Sequence, residues 1–270
     1  MELNEIKKHW EDWSNEFKTN LRATTKTSTI KQLEINALFR AIQKTSCFNN
    51  NDVELLEVGC GNGYNCIALA EKMQHASFTG VDFISDMVDN AKKNINEQDR
   101  ISFHVGNILE LESNKNLQST YDIVFTDRCI INLNSTDLQF QAIDQLSTKL
   151  KKDGYLIILE NFIQSFKKQN DCREVVGLPR RKPAEFNLFM DSDCFQSYLN
   201  RTMDLIHVDD FGSLHDIVLY VLVPMINDGT IDYNHPLVSA ATALSISLSE
   251  KYENPFGTFG QNRLYLYCKR

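Results

Sequence analysis

The sequence has no long apolar run. Its most apolar stretch, "IVLYVLVPMI" at 217–226, is about half the length needed to span a bilayer and contains Pro224, so membrane insertion is not expected. The first residues, "MELNEIKKHWEDW", are charged and lack an apolar h-region, so no signal peptide is expected. Positive charge is also in short supply. Lys and Arg number 28 against 36 Asp and Glu, a formal charge of −8. That balance argues against general nucleic-acid binding, which needs clustered cations, but it still allows a local basic pocket for a small anion. The seven cysteines (Cys47, Cys60, Cys66, Cys129, Cys172, Cys194 and Cys268) form no CxxC pair and no Cys/His cluster. His207, His215 and His235 lack ligand spacing as well, so no metal is assigned. An odd, scattered set of thiols suits a reducing, cytoplasmic compartment. No repeat and no Pro/Gly/Ser-rich linker divides the chain. The expectation is one domain over 1–270, with a helical cover (1–50), a core (51–161) and a substrate-side excursion with closing strands (162–270).

What is present is an alternation of two periodicities. Residues 3–18 and 29–45 read as helices, the second with Ile30, Leu33, Ile35, Leu38, Phe39 and Ile42 on one face. From residue 53, apolar runs at 53–58, 77–82, 101–107, 121–127 and 155–161 alternate with helical patterns at 63–74, 84–96 and 135–150. Strands alternating with helices predict a parallel sheet covered on both faces. Ser85 is placed to cap the second of those helices. After Asn161 the pattern lapses into the basic, proline-containing "VVGLPRRKPAEFN", read as an excursion over the sheet's edge. A helix near 191–202, a strand at 204–210, helices within 213–250 and a strand at 262–270 follow. The predicted fold class is α/β: a Rossmann-like, seven-stranded, mostly parallel sheet with an N-terminal helical lid and a late helical insertion.

The run "LLEVGCGNGYNCIALA" (55–70) yields Gly59, Gly61 and Gly63 where a strand becomes a helix. Bare backbone at such a turn lets a ligand approach closely. A dinucleotide and S-adenosylmethionine compete for it. The dinucleotide fingerprint is GxGxxG, its third glycine relieving helix–strand packing behind a pyrophosphate; here Tyr64 takes that place. Glu57, two residues before the bend, disfavours a pyrophosphate and suits an ammonium group. Asp82, ending the second strand, serves a ribose in either class. The missing glycine decides for S-adenosylmethionine.

On these residues the sequence resembles the class I S-adenosylmethionine-dependent methyltransferases. "LLEVGCGNG", "GVDFISDMVDNA", "GNILEL" and "YDIVFTDRCIINL" follow in order on successive elements. The resemblance implies that Glu57 and the backbone of Gly59, Cys60, Gly61 and Gly63 hold the methionine moiety, and that Asp82 binds the ribose hydroxyls. Phe83 and Met87 would border the adenine, and Asn107 with Ile108 would meet its edge. Asp127 and Arg128 would lie beside the sulfonium and the acceptor.

The acceptor is less constrained. The Asn/Asp-Pro-Pro-Tyr/Phe motif of many nucleic-acid and protein amino-methyltransferases is missing after the fourth strand. "TDRCIINL" stands there instead, similar to the version in small-molecule enzymes, including those that decorate sugars and surface glycans. "NFIQSFKKQNDCREVVGLPRRKPAEFNLFMD" and "DYNHPLVSAATAL" resemble bacterial enzymes of polysaccharide biosynthesis. Together these imply O-methylation of a sugar, nucleotide-linked or phosphorylated small molecule. N-methylation of a small amine, cofactor binding without turnover in a partner subunit, and an NAD-dependent oxidoreductase stay open, as does a homodimer. Substrate-side candidates are Arg128, Asn132, Asn161, Arg180, Arg181 and Asn187; Glu160 and His215 lead as general bases, with Arg128 beside them. Trp10, Tyr64 and the "TTK" turn at 24–26 form the expected lid.

Overall fold

A computed structural model describes residues 1–95 and 100–270. Its elements run α1 (Leu3–Phe17), α2 (Ser28–Gln43), β1 (Val53–Val58), α3 (Tyr64–Lys72), β2 (Ala76–Asp82), α4 (Ser85–Asn94), β3 (Ile101–Val105), β4 (Tyr121–Asp127), α5 (Thr136–Thr148) and β5 (Leu150–Asn161). There follow α6 (Ile163–Val175), α7 (Ser192–Leu199), β6 (Met203–Asp209), α8 (Ser213–Ile217), a π-helical turn (Val218–Leu222), α9 (Val223–Ile226), α10 (Pro236–Ser249) and β7 (Asn262–Lys269). The sheet order is β3-β2-β1-β4-β5-β7-β6, with β7 antiparallel to both neighbours. The seven expected strands and the late helical insertion are present.

Alternation along each strand builds two cores. Leu55, Ile123, Phe125 and Ile157 face a layer containing α2, α3 and α4, where Leu38, Ile42, Leu69 and Val88 are buried. Leu56, Val124, Leu156 and Ile158 face the opposite layer, filled by Ile143 and Leu146 of α5 and Phe195 of α7. Parallel strands covered on both sides need this near-continuous apolar sequence.

Three expectations shift. The helix at 84–96 ends at Asn94, and its last expected residue lies outside the described ones. The fifth strand begins at Leu150 rather than residue 155 and carries a register irregularity opposite Tyr121 and Ile123. Gly154 belongs to that kink, since a Cβ there would come within 2.9 Å of Lys151 O. The supposed irregular segment after Asn161 contains α6. Its buried face holds Ser165, Gln169, Asn170 and Arg173 beside Phe166, so no apolar stripe marks it in the sequence.

Crossovers that return every parallel strand in the same direction place the ends of β1, β2, β4 and β5 along one edge, where open α/β sheets bind ligands. The cover packs there: Trp10 and Phe17 of α1 and Ala23 just after it form a small cluster with Ile84 and Met87 at the start of α4.

Candidate active site

The bend after β1 is fixed by backbone bonds. Gly59 and Cys60 donate N–H groups to Val81 O at 2.7 and 3.0 Å. Gly59 and Gly61 take φ of +79° and +53°, and both line a cavity of about 950 Å³. Asp82 ties the bend to β2 and α4: Oδ2 accepts from Gly61 N at 2.8 Å and Oδ1 from Ile84 N at 2.9 Å. Burial raises the Asp82 pKa against the pull of those N–H groups. Ser85 makes no cap; the Asp82 carboxylate serves the start of α4 instead. Gly63 departs from its expected role. It does not line the cavity, and a Cβ there would meet Phe103 at 2.6 Å and Ala91 at 3.1 Å. It is needed for close packing of α3, not for ligand contact.

Behind the bend lies a buried charged group that the sequence reading missed. Lys31 Nζ lies 2.6 Å from Asp127 Oδ2, 2.8 Å from Glu34 Oε2 and 3.3 Å from Asn65 Oδ1. Arg128, at φ +54°, places Nε 2.8 Å from Glu34 Oε1 and donates from Nη2 to Thr24 O at 3.1 Å. Asn65 bridges Glu57 (2.7 Å) and Asp127 (2.9 Å). Burial alone would raise the Asp127 carboxyl, but Lys31 and Arg128 hold it below the usual range. Glu57 is different. Sealed from solvent, with Asn65 and Cys66 donating to it, it is pushed up to about 7 by burial. It and Cys60 line a small recess behind the main cavity, so Glu57 reaches the site through Asn65 and Asp127. Lys31 and Glu34 left a signal, two charges one turn apart on the apolar face of α2.

Phe83, Met87, Asn107 and Ile108, the residues expected to border an adenine, line the cavity with Asp82. Asn107 also caps the turn after β3, accepting from Leu109 N at 3.0 Å. The cover closes over this end. Asn62, between two of the glycines, donates to Lys18 O and Asn20 O at 3.0 and 2.8 Å. Trp10 Nε1 donates to Asn132 Oδ1 at 3.1 Å, and His9 stacks on Phe186 with centroids 4.2 Å apart. The expected lid is therefore in contact with the 180s segment across the cavity mouth. Tyr64 does not line the main cavity; it lines the recess with Glu57, where Thr24 of the lid turn also reaches.

On the acceptor side, Arg128, Asn132, Asn161, Arg181, Asn187 and His215 line the cavity. Asn161 Oδ1 and Asn187 Oδ1 are buried without a hydrogen-bond partner among the described residues. Asn132 is taken up by Trp10 and by donation to Arg128 O at 2.9 Å. Two candidates fall away. Glu160 is fully buried, and its Oε1 accepts from Thr126 Oγ1, Cys129 N and Ile130 N at 3.1, 3.0 and 2.9 Å. It shapes the loop after β4 and does not face the cavity, which removes it as a base. Arg180 is exposed and paired with Asp171 and Glu174 of α6, a surface ion pair outside the site.

His215 lines the cavity. Its Nδ1 lies 3.0 Å from Asp216 Oδ1, and Asp216 Oδ2 accepts from Gln169 Nε2 and Gln261 N, both at 2.8 Å. A carboxylate accepts only, so the imidazole hydrogen sits on Nδ1. That leaves Nε2 with a free lone pair, buried and without a hydrogen-bond partner among the described residues.

A family model described as a methyltransferase domain matches residues 49–185, half of the chain. The chain belongs to that family. Its methyl donor is S-adenosylmethionine, and the residues of this methyltransferase domain fit it. The bare bend at Gly59 and Gly61, the Asp82 carboxylate at the cavity edge, and Asp127 Oδ1, 3.5 Å from Arg128 Nε and without a hydrogen-bond partner among the described residues, with Lys31 beside that carboxylate, suit a ribose and an amino-acid end. The domain is 32% identical over 130 residues to a malonyl-[acyl-carrier protein] O-methyltransferase of Priestia megaterium, covering 48% of this chain and 44% of that protein. It thus spans less than half the length of that relative. Its fold is similar to a methyltransferase solved in complex with the Haloferax volcanii methyltransferase activator, with TM-score 0.62, 14% identity and 96% and 97% of the two chains covered. The Synechocystis magnesium protoporphyrin IX methyltransferase with bound S-adenosylmethionine gives TM-score 0.57 at 12% identity, covering 98% and 97%. The surface-polysaccharide expectation finds no support in these relatives. Among the described residues no helix is long and apolar enough to cross a membrane.

Proposed function

We propose that the protein transfers a methyl group from S-adenosylmethionine to an oxygen of a small molecule, with His215 as general base. Bound at the glycine bend, the cofactor supplies an electrophilic methyl group on sulfur. The chain's own residues supply the rest. Asp82 and the bend orient the nucleoside, while Lys31 and Asp127 meet the amino-acid end. The cover excludes water from the cavity. His215 Nε2 would take the hydroxyl proton as the oxygen–methyl bond forms and the methyl–sulfur bond breaks with S-adenosylhomocysteine leaving, and Asp216 would fix the ring and stabilise the imidazolium.

The observation that carries this reading is the unpartnered Nε2 of His215 in the cavity wall, with Asp216 holding its tautomer. His215→Gln should lower kcat by about 10²- to 10⁴-fold while S-adenosylhomocysteine affinity, read by calorimetry, stays at the wild-type value. Unchanged kcat removes His215 as the base. Methylation of a carboxylate oxygen is a second reading, favoured by the name of the malonyl-[acyl-carrier protein] relative. A carboxylate is already an anion and needs no base, so there the His215 variant would retain its rate and the product would be an alkali-labile ester.

A further inference from the structure

Arg181 and His215 are held by one hydrogen-bonded frame. Asp216 binds His215 with one oxygen and, with the other, Gln169 Nε2 and Gln261 N. The same two glutamines turn their side-chain carbonyls on Arg181: Nη1 donates to Gln169 Oε1 at 3.0 Å and Nη2 to Gln261 Oε1 at 3.2 Å. The guanidinium carbon lies 3.4 Å from the centroid of Tyr220, which the π-helical turn Val218–Leu222 carries. Such turns inside helices recur at functional sites.

The partners of Arg181 are neutral. Two amide carbonyls occupy two of its five N–H donors, and among the described residues it forms no ion pair. Arg180, its neighbour in sequence, forms two. A stacked guanidinium with donors left over, fixed in a cavity wall, is built to receive a planar anion. Lys26 and Lys182 line the same cavity and likewise form no ion pair among the described residues. Asp216, which lines the cavity beside His215, is already committed to His215 and the glutamines. In a chain of net charge −8 this is a local excess of positive charge. The surrounding wall is aromatic, with Phe166, Phe186 and Tyr233.

We propose that the acceptor is a hydroxylated aromatic or alicyclic acid whose anionic group is bound by Arg181 while its hydroxyl meets His215. This rests on the O-methyltransferase reading of the same site. The anion, a carboxylate or a phosphate, is a handle and not the nucleophile. Because Gln169, Gln261 and Asp216 fix Arg181 relative to His215, the site distinguishes positional isomers of one acid.

The test is calorimetric titration, in saturating S-adenosylhomocysteine, with 2-, 3- and 4-hydroxybenzoate, the matching hydroxyphenyl phosphates and the neutral hydroxybenzamides. Product analysis with labelled S-adenosylmethionine accompanies it. One acid or phosphate isomer should bind at least about tenfold tighter than its amide; which of the two does so identifies the anion. Arg181→Gln should bring that ratio close to one, and Arg181→Lys should restore part of it, as a charge without the planar fork. Arg180→Gln should leave it unchanged. Retained S-adenosylhomocysteine binding shows that each variant is folded. Equal affinity for acid and amide, a ratio that survives in Arg181→Gln, no binding of any probe, or a methyl ester as product would each overturn the proposal. The two readings fail separately. His215-dependent ether formation on the neutral amides would leave the O-methyltransferase reading standing and remove the anion site. Acid-selective, Arg181-dependent binding without methyl transfer would do the reverse.

Discussion

Alanine at position 61 would put a methyl group where Thr24 already is. The added Cβ would meet Thr24 Cγ2 at 2.3 Å, at a backbone φ of +53°. Two costs follow, and they appear in different quantities. The left-handed backbone costs an L side chain about 1–2 kcal/mol, with or without ligand, so it lowers folding stability. The overlap costs a further ~1–3 kcal/mol unless the turn carrying Thr24 moves away from the bend. That turn is part of the cavity wall, so its displacement appears as S-adenosylmethionine affinity weakened by about 5- to 150-fold. The steric conflict is thus with the protein's own cover, before any conflict with the cofactor. Thr24→Ser removes Cγ2 and keeps the hydroxyl that donates to Leu21 O. In a double-mutant cycle read by calorimetry with S-adenosylhomocysteine, the double variant should regain most of the affinity that Gly61→Ala loses. Its melting temperature should stay lowered. Wild-type affinity in Gly61→Ala, or no recovery in the double variant, would refute the reasoning.

Two further outcomes separate structural from chemical roles. Burial holds the Glu160 carboxyl at about 7, above the 4.5 of an unburied glutamate; between those values the unfolded chain releases its proton first, so this group's stabilising share is complete below pH 4.5 and is lost as pH rises through 7. Glu160→Gln keeps an oxygen for Thr126, Cys129 and Ile130, so urea unfolding should show the wild type losing up to about 3 kcal/mol relative to the variant across that window, and a pH-independent difference would contradict it. Lys31→Met leaves Glu34 and Asp127 buried without their shared cation and should lower stability by about 3–5 kcal/mol, measured by the same unfolding; a loss below 1 kcal/mol would show that Arg128 alone neutralises the pair.

Local pattern carried the core of this molecule. Apolar runs between helical periods locate the seven strands, and the glycines with Asp82 mark the cofactor edge, because these features arise within a few residues of each other. What escaped the sequence depends on distant partners. Arg180 and Arg181 are adjacent and alike in sequence, yet one meets Asp171 and Glu174 in solvent while the other stacks on Tyr220 in the cavity. Nothing local to 180–182 separates them. Glu160 and Asn161 sit at the end of one strand and point to opposite faces, so the carboxylate turns to the loop after β4 and the amide to the cavity. Helix α6 was hidden because its buried side is polar, and part of what satisfies its Gln169 and Arg173, Asp216 and Tyr220 O, lies more than forty residues away in the chain. Lys31 was legible in principle, as a cation on an apolar helix face, but its partner Asp127 is 96 residues on.

Every role assigned to the site depends on the glycine bend and Asp82 holding a sulfonium nucleoside. Calorimetric titration of the wild type and of Asp82→Ala with S-adenosylhomocysteine, alongside NADH, tests this most directly. The expected result is saturable binding of S-adenosylhomocysteine, weakened at least about tenfold in Asp82→Ala as one or two hydrogen bonds to a carboxylate are lost, and no heat from NADH. Binding of NADH in its place, or equal S-adenosylhomocysteine affinity in the two proteins, would contradict it.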